Sequence, residues 1–206
     1  PRMASDVDNI FNQITGVGKS GVLNELFQSP FTLHDMVMKG IERETYNALN
    51  GEKAEIIAKM NSLVENQVIR ALYIASQAGV KITLIVRGAC ALRPQLAGVS
   101  DNIIVKSVVG RFLEHHRIFY FHDSGNENVF IASADWMNRN FFKRVETCIP
   151  ILNPKIKRRV LAEGLTIYIQ DNVNSWLMNH DGSYTKTGIV GKRICAQEYL
   201  MNKLKA

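Results

Sequence analysis

No stretch of this sequence approaches the roughly 18 uninterrupted apolar residues that a membrane-spanning helix needs. Its opening residues, Pro1-Arg2-Met3-Ala4-Ser5-Asp6, lack the apolar centre of a secretion signal. A start at proline leads us to expect a piece cut from a longer chain. Cysteine is scarce: Cys90, Cys148 and Cys195 are odd in number, widely spaced and contain no C-x-x-C pair. That excludes a disulfide framework and a cysteine-built metal centre, and predicts reduced thiols in a cytoplasmic protein. Only 5 of the 206 residues are proline, and there is no Ser/Pro-rich linker, repeat or low-complexity tract, so one domain or at most two small ones is expected. Aromatics make up 8% and form no series. Trp136 and Trp176 therefore read as packing residues and not as stacking platforms for bases.

Negative charge is what the last third lacks. Residues 1–138 carry 13 basic and 14 acidic side chains, whereas residues 139–206 carry 12 and 5, a net +7. Such a segment attracts polyanions, although charge alone favours the plainer reading of a solvated basic face. The 46% hydrophobic content is enough for a real core.

Apolar residues at Val7, Ile10, Phe11 and Ile14 have the spacing of an amphipathic helix. Helices are further predicted over Thr32–Leu49, closed by Asn50-Gly51, over Glu65–Gln77, over Pro154–Leu165 and over Ala196–Lys205. Strands are predicted at 54–60, 81–86, 103–109, 117–121, 129–133 and 145–152, while 167–169 and 176–178 fit either state. The strand-helix-strand run from Ala54 to Val86 predicts parallel pairing, hence one α/β domain around a mixed sheet flanked by helices.

Thr15-Gly16-Val17-Gly18-Lys19-Ser20 ends like a phosphate-binding P-loop. The pattern fails at its first glycine, where Gln13 stands, and an amphipathic helix precedes it where a buried strand is required. A stronger cluster is Gly110-Arg111-Phe112-Leu113-Glu114-His115-His116-Arg117. Strand side chains alternate, so His115 and Arg117 share a face and could meet one phosphate. Taken alone, such histidines are better read as surface residues at a strand start; Arg87 shifts that balance. Ser133-Ala134-Asp135 forms a small-residue turn after another strand, where a hydroxyl and backbone N–H groups could hold phosphate oxygens. Arg87 closes the 81–86 strand and precedes Gly88; ligands of open α/β sheets bind beyond such carboxyl ends.

Taken together, several blocks resemble the C-terminal part of polyphosphate kinase. They are Ser29-Pro30-Phe31-Thr32-Leu33-His34, Lys59-Met60-Asn61-Ser62-Leu63, Leu84-Ile85-Val86-Arg87-Gly88, Gly110-Arg111-Phe112-Leu113-Glu114-His115 and Ser133-Ala134-Asp135-Trp136-Met137-Asn138-Arg139-Asn140, in order between Phe27 and Leu152. The resemblance implies a phospholipase-D-like lobe over residues 27–206, with residues 1–26 as a helical linker from a preceding lobe. It implies transfer of the terminal phosphate of ATP to polyphosphate, reversibly, through a phosphohistidine carried by that absent lobe. The Mg²⁺ ligands would lie there too, and no metal ligand set is assigned to this chain. The partners implied are ATP or ADP, inorganic polyphosphate and the preceding lobe, with homo-oligomerisation of the full-length enzyme left open. His115-x-Arg117 stands where phospholipases have H-x-K, but the acidic residue that should follow is missing until Asp123, which argues against phosphodiester hydrolysis.

By the same resemblance, Arg87 and His115 correspond to ATP-binding residues, with His115 and Arg117 as the catalytic pair. An arginine offers a rigid fork of donors to β- and γ-phosphate oxygens. His115 can transfer a proton or stabilise charge at the leaving phosphate, and sequence does not separate the two. Lys59, Ser133, Arg139 and Arg144 are candidates for lining a polyphosphate path, although strand-flanking basic residues are often simply exposed. Asp135 either joins that path or orients a histidine or arginine. His34, His116, His122 and His180 are assigned to surface or core. Two alternatives to half of a kinase site are a basic polyanion-binding module without catalysis, and a phosphodiesterase lobe.

Overall fold

The computed structural model describes residues 2–16 and 21–205. Most of the predicted elements form, with shifted ends. They are α1 (Arg2–Thr15), β1 (Phe27–Gln28), α2 (Leu33–Leu49), β2 (Glu55–Met60), α3 (Asn66–Gln77), β3 (Lys81–Val86), β4 (Ile103–Val108), β5 (Arg117–Phe121) and β6 (Asn128–Ala132). There follow α4 (Asn138–Phe142), β7 (Thr147–Pro150), α5 (Pro154–Val160), α6 (Ile167–Gln170), β8 (Ser175–Met178), β9 (Tyr184–Lys186) and α7 (Ala196–Lys203). Residues 17–20 of the P-loop-like stretch lie outside the described residues.

Local chemistry explains several boundaries. Glu65 caps α3 by accepting the Val68 N–H at 2.7 Å, and Asn153 caps α5 through the N–H groups of Lys155 and Ile156, with Pro154 at the first turn. The helix predicted over 154–165 does not stop there. A π-type stretch (Leu161–Thr166) joins α5 to α6, so the ambiguous 167–169 is helix and 176–178 is strand. The strand predicted at 145–152 shortens to Thr147–Pro150, with buried Glu146 just before it. Three elements too short to show a period were missed: β1, α4 and β9.

The sheet runs β1-β7-β6-β5-β2-β3-β4-β8-β9. The expected parallel pairing is present, with Glu55 opposite Lys81 through to Met60 opposite Val86, and β4 is parallel to β3. All other pairs are antiparallel. The alternation of β2 and β3 divides the molecule. Ile56, Ala58, Met60, Ile82 and Leu84 face α2 and α3 in a large apolar core with Val37, Ile41 and Leu72. Ile57, Ile85, Ile118 and Tyr120 face Leu165, Tyr168 and Ala196 in a smaller one. Each fully buried aliphatic side chain stabilises the fold by about 1.5–3 kcal/mol.

Helix α1 is tied to the body by a buried acid. Asp6 accepts backbone N–H groups of Asn24, Glu25 and Leu26 at 2.7–2.9 Å. Burial pushes this carboxyl up, but those N–H donors outweigh it and bring its pKa to about 2. None of the helices among the described residues is long and apolar enough to cross a membrane.

Candidate active site

The pairing order collects the chemically interesting residues at one edge of the sheet. Because β2 and β3 are parallel, the residues just beyond their carboxyl ends, Asn61 and Arg87, are neighbours. Because β5 is antiparallel to β2, its first residue, Arg117, lies at that same edge, opposite Ala132 at the end of β6. The β4–β5 loop with His115 and the β6–α4 turn with Ser133 and Asp135 therefore converge on Arg87.

A chain of hydrogen bonds runs through them. Arg87 donates from Nε and one terminal nitrogen to Asn61 Oδ1 at 3.1 and 2.9 Å. The Asn61 backbone N–H donates to Asp135 Oδ1 at 2.7 Å. Asp135 also receives a two-pronged contact from Arg117, both bonds at 3.1 Å, and Arg117 donates onward to the His115 carbonyl at 2.6 Å. Buried Asp135 thus sets the height and rotation of both arginines. Half-buried Arg87 keeps its other terminal nitrogen without a protein partner among the described residues, as a phosphate clamp requires. The His115 side chain is exposed and likewise has no hydrogen-bond partner among the described residues.

The adjacent histidine has a different setting. His116 Nε2 lies 2.6 Å from Lys59 Nζ, and Lys59 also pairs with Glu114. The Lys59 ammonium lies 3.0 Å from the centroid of the Tyr168 ring. Burial, aided by the Arg87 cation, pushes Lys59 down to about 7 against the pull of Glu114. Burial and the Lys59 charge push His116 down to about 4. Burial raises Glu114, but Lys59, with hydrogen bonds from Gln197 and Tyr168, outweighs this and holds the carboxyl below its usual range. At neutral pH His116 is therefore neutral and Glu114 ionised.

Lys59 points into this inner cluster and away from an open path. Ser133 donates to buried Glu146, which Asn140 also holds at 2.6 Å. Arg139 and Arg144 are exposed and pair with no carboxylate among the described residues. Beside this edge opens a groove of about 1020 Å³ between the β5–β7 face and helices α5 and α7. Its walls are mainly apolar, including Ile131, Ile149, Val160 and Leu200, and Arg117 and Ser133 stand among its lining. The groove thus overlaps one side of the charged cluster: Glu114, His116 and Arg117 line it, whereas Asn61, Arg87, His115 and Asp135 do not.

Residues 26–197 match the family model for polyphosphate kinase C-terminal domain 2. This chain belongs to the polyphosphate kinase family. The polyphosphate kinase of Paraburkholderia phytofirmans is 56% identical over 185 residues, which are 90% of this chain and 27% of that protein. That of Neisseria meningitidis serogroup B is 57% identical over the same shares. The crystal structure of polyphosphate kinase from Porphyromonas gingivalis superposes with a TM-score of 0.90 at 36% identity, over 96% of this chain and 31% of that one. The chain thus spans about 27% of the length of these curated relatives.

Within this polyphosphate kinase segment, sequence reasoning passed over Asn61, Glu114, Tyr168 and Gln197, and it assigned His116 to surface or core where the structure sets it against Lys59. Asn61 could have been found, since parallel pairing places the residue after one strand next to the residue after the other. For Tyr168 and Gln197 no local pattern marks a contact with a loop far away in sequence.

Proposed function

We propose that residues 27–206 form the C-terminal lobe of a polyphosphate kinase, joined through residues 1–26 to a preceding lobe. The full-length enzyme transfers the terminal phosphate of ATP to polyphosphate, and back, through a phosphohistidine on that preceding lobe. The observation that carries this reading is the pair of arginines fixed on Asn61 and Asp135 at one sheet edge, with His115 open beside them. In this reading Arg87 forks onto the β- and γ-phosphate oxygens and stabilises charge as it shifts to the leaving group. His115 meets the same phosphates, while Arg117 holds the His115 backbone through its carbonyl. Ser133, Arg139 and Arg144 are proposed to line the polyphosphate path, and Lys59 to act on it from beneath through His116 and Glu114. Lacking the phospho-accepting lobe, this segment alone turns nothing over, and we place the working enzyme in the cytoplasm.

The family also implies Mg²⁺. Among the described residues no cluster of three or more His, Cys, Asp or Glu is poised to hold a metal. The two acids of the site, Asp135 and Glu114, already face Arg117 and Lys59. These residues do not fit a divalent cation, so no step is derived through one, and its ligands are proposed for the preceding lobe.

The test is made in the full-length enzyme. Arg87→Ala weakens nucleotide use, and His115→Ala removes turnover without unfolding the chain. Wild-type polyphosphate synthesis by either variant removes that residue from the site. Titration of this segment with polyphosphate or an ATP analogue at two salt concentrations separates the alternative. Binding lost in the double variant even at the higher salt supports a built phosphate site. Binding indifferent to the substitutions and abolished by salt is that of a basic surface alone.

A further inference from the structure

Between β4 and β5 the chain from Val109 to His116 has no regular structure of its own, so its backbone must be satisfied from elsewhere. One side chain supplies both partners at Phe112. Gln197, buried in the first turn of α7, accepts the Phe112 N–H at 2.9 Å and returns a bond from Nε2 to the Phe112 carbonyl at 3.0 Å. The same Nε2 reaches Glu114 Oε1 at 2.7 Å. Both hydrogens of the amide nitrogen and its oxygen are thus engaged, and the Phe112 N–H fixes which end is oxygen. A carboxamide suits this place where a carboxylate or an alkyl group does not.

The approach is close. A Cβ on Gly110 would come within 2.5 Å of Gln197 Oε1 and 3.1 Å of Asn174 Nδ2, so glycine is needed for loop and helix to meet. The helix start is pinned in turn, because the Ala196 N–H donates to Asp171 Oδ2 at 2.7 Å. His115 then sits between two secured neighbours, Glu114 held by Gln197 and Lys59, and His116 held by Lys59, while Arg117 grips its carbonyl.

We infer that Gln197 is a positioning residue for His115: the last helix, through one carboxamide, sets where the loop presents the imidazole to the transferring phosphate. The inference rests on the polyphosphate kinase reading of the site. It gives the C-terminal segment, which the sequence left without a role, a function in turnover.

The experiment compares full-length enzymes carrying Gln197→Ala, Gln197→Glu, His115→Ala and, as a control on the same helix, the exposed Glu198→Gln. A displacement of the order of 1 Å in a reacting group costs up to about 100-fold in rate. We expect kcat for polyphosphate synthesis to fall about 10- to 100-fold in Gln197→Ala, the range for lost supporting hydrogen bonds, with the KM for ATP within about twofold. Amide exchange should rise at Phe112 through His115. Gln197→Glu preserves size and the acceptor but removes both donors and faces Glu114 with a second negative charge, so its kcat should be no higher than that of the alanine variant. Glu198→Gln should retain wild-type turnover.

A Gln197→Glu enzyme with wild-type kcat would overturn the inference, because size alone would then suffice. So would an alanine variant whose loss appears in KM or thermal midpoint and not in kcat. Should the alanine variant fail to fold, the size-preserving glutamate variant decides alone. If His115→Ala is silent while both Gln197 variants keep full kcat, positioning by Gln197 falls and the site reading stands. If His115→Ala turns over normally, the site reading falls first.

Discussion

The two faces of the central sheet differ in kind. Toward α2 and α3, side chains such as Val37, Ile41, Leu72 and Leu84 are fully buried in a continuous apolar layer. Toward α6 and α7, the apolar layer is smaller, and at its edge it gives way to Lys59, Glu114 and His116 beneath the Tyr168 ring and then to an open groove. One face supplies stability. The other gives up close packing so that charged groups and a loop can stand at a strand edge. Hydrophobic burial is non-directional and tolerant, whereas a phosphate site needs fixed directions, and fixed directions need partners for every buried polar group.

The sharpest break between these two kinds of support comes from removing Asp135. Asp135→Ala leaves Arg117 and the Asn61 N–H without their acceptor, and breaking a buried pair costs about 3–5 kcal/mol. The expected result is a lower denaturation midpoint together with loss of phosphotransfer in the full-length enzyme; intact turnover would show that the arginines do not depend on this acid. On the opposite face Leu72→Ala should cost about 2–5 kcal/mol through lost burial and a cavity. Its kcat at a temperature where it remains folded should be unchanged, and a kcat loss there would mean that the faces are not independent.

Lys59 offers a smaller, pH-dependent test. The unfolded chain keeps that proton up to about 10.4, while the folded chain releases it near 7. Protonated Lys59 therefore opposes folding below about 7, and this opposition fades as pH rises from about 7 to 10. Stability of the wild type relative to Lys59→Met should accordingly increase across that window, as read by denaturant titrations at several pH values. A constant difference would place the Lys59 pKa back at its ordinary value. Least affected should be Leu204→Ala at the groove rim, where the side chain is already 58% exposed. A change within about 0.5 kcal/mol is expected, and a larger one would make the groove part of the load-carrying core.

Much of the fold could be read in advance because it is written in short periods. The β-branched run Lys81–Val86 formed as predicted, and the strand-helix-strand order around α3 dictated parallel pairing. The short elements β1, α4 and β9 carried too few residues for any period, and the burial of Glu146 before β7 is explained only by its bonds to Ser133 and Asn140. At the site, Arg87 was legible because it ends a parallel strand. The two adjacent histidines were not distinguishable by pattern. The period-two alternation of β5 places His116 on the Ile118 side, toward Tyr168, with its side chain still 38% exposed, and leaves exposed His115 without a hydrogen-bond partner among the described residues.

By itself the sequence determined the α/β class, the order of the elements, the family and the residue types at the strand ends, since these follow from local propensity, periodicity and contiguous motifs. Tertiary structure alone decided that Asn61 and Asp135 link the two arginines, that Lys59 faces inward, and that Gln197 reaches back to Phe112 across 85 residues. Those contacts join side chains far apart in the chain. Their geometry depends on how two layers pack on one sheet, and no short-range pattern records that.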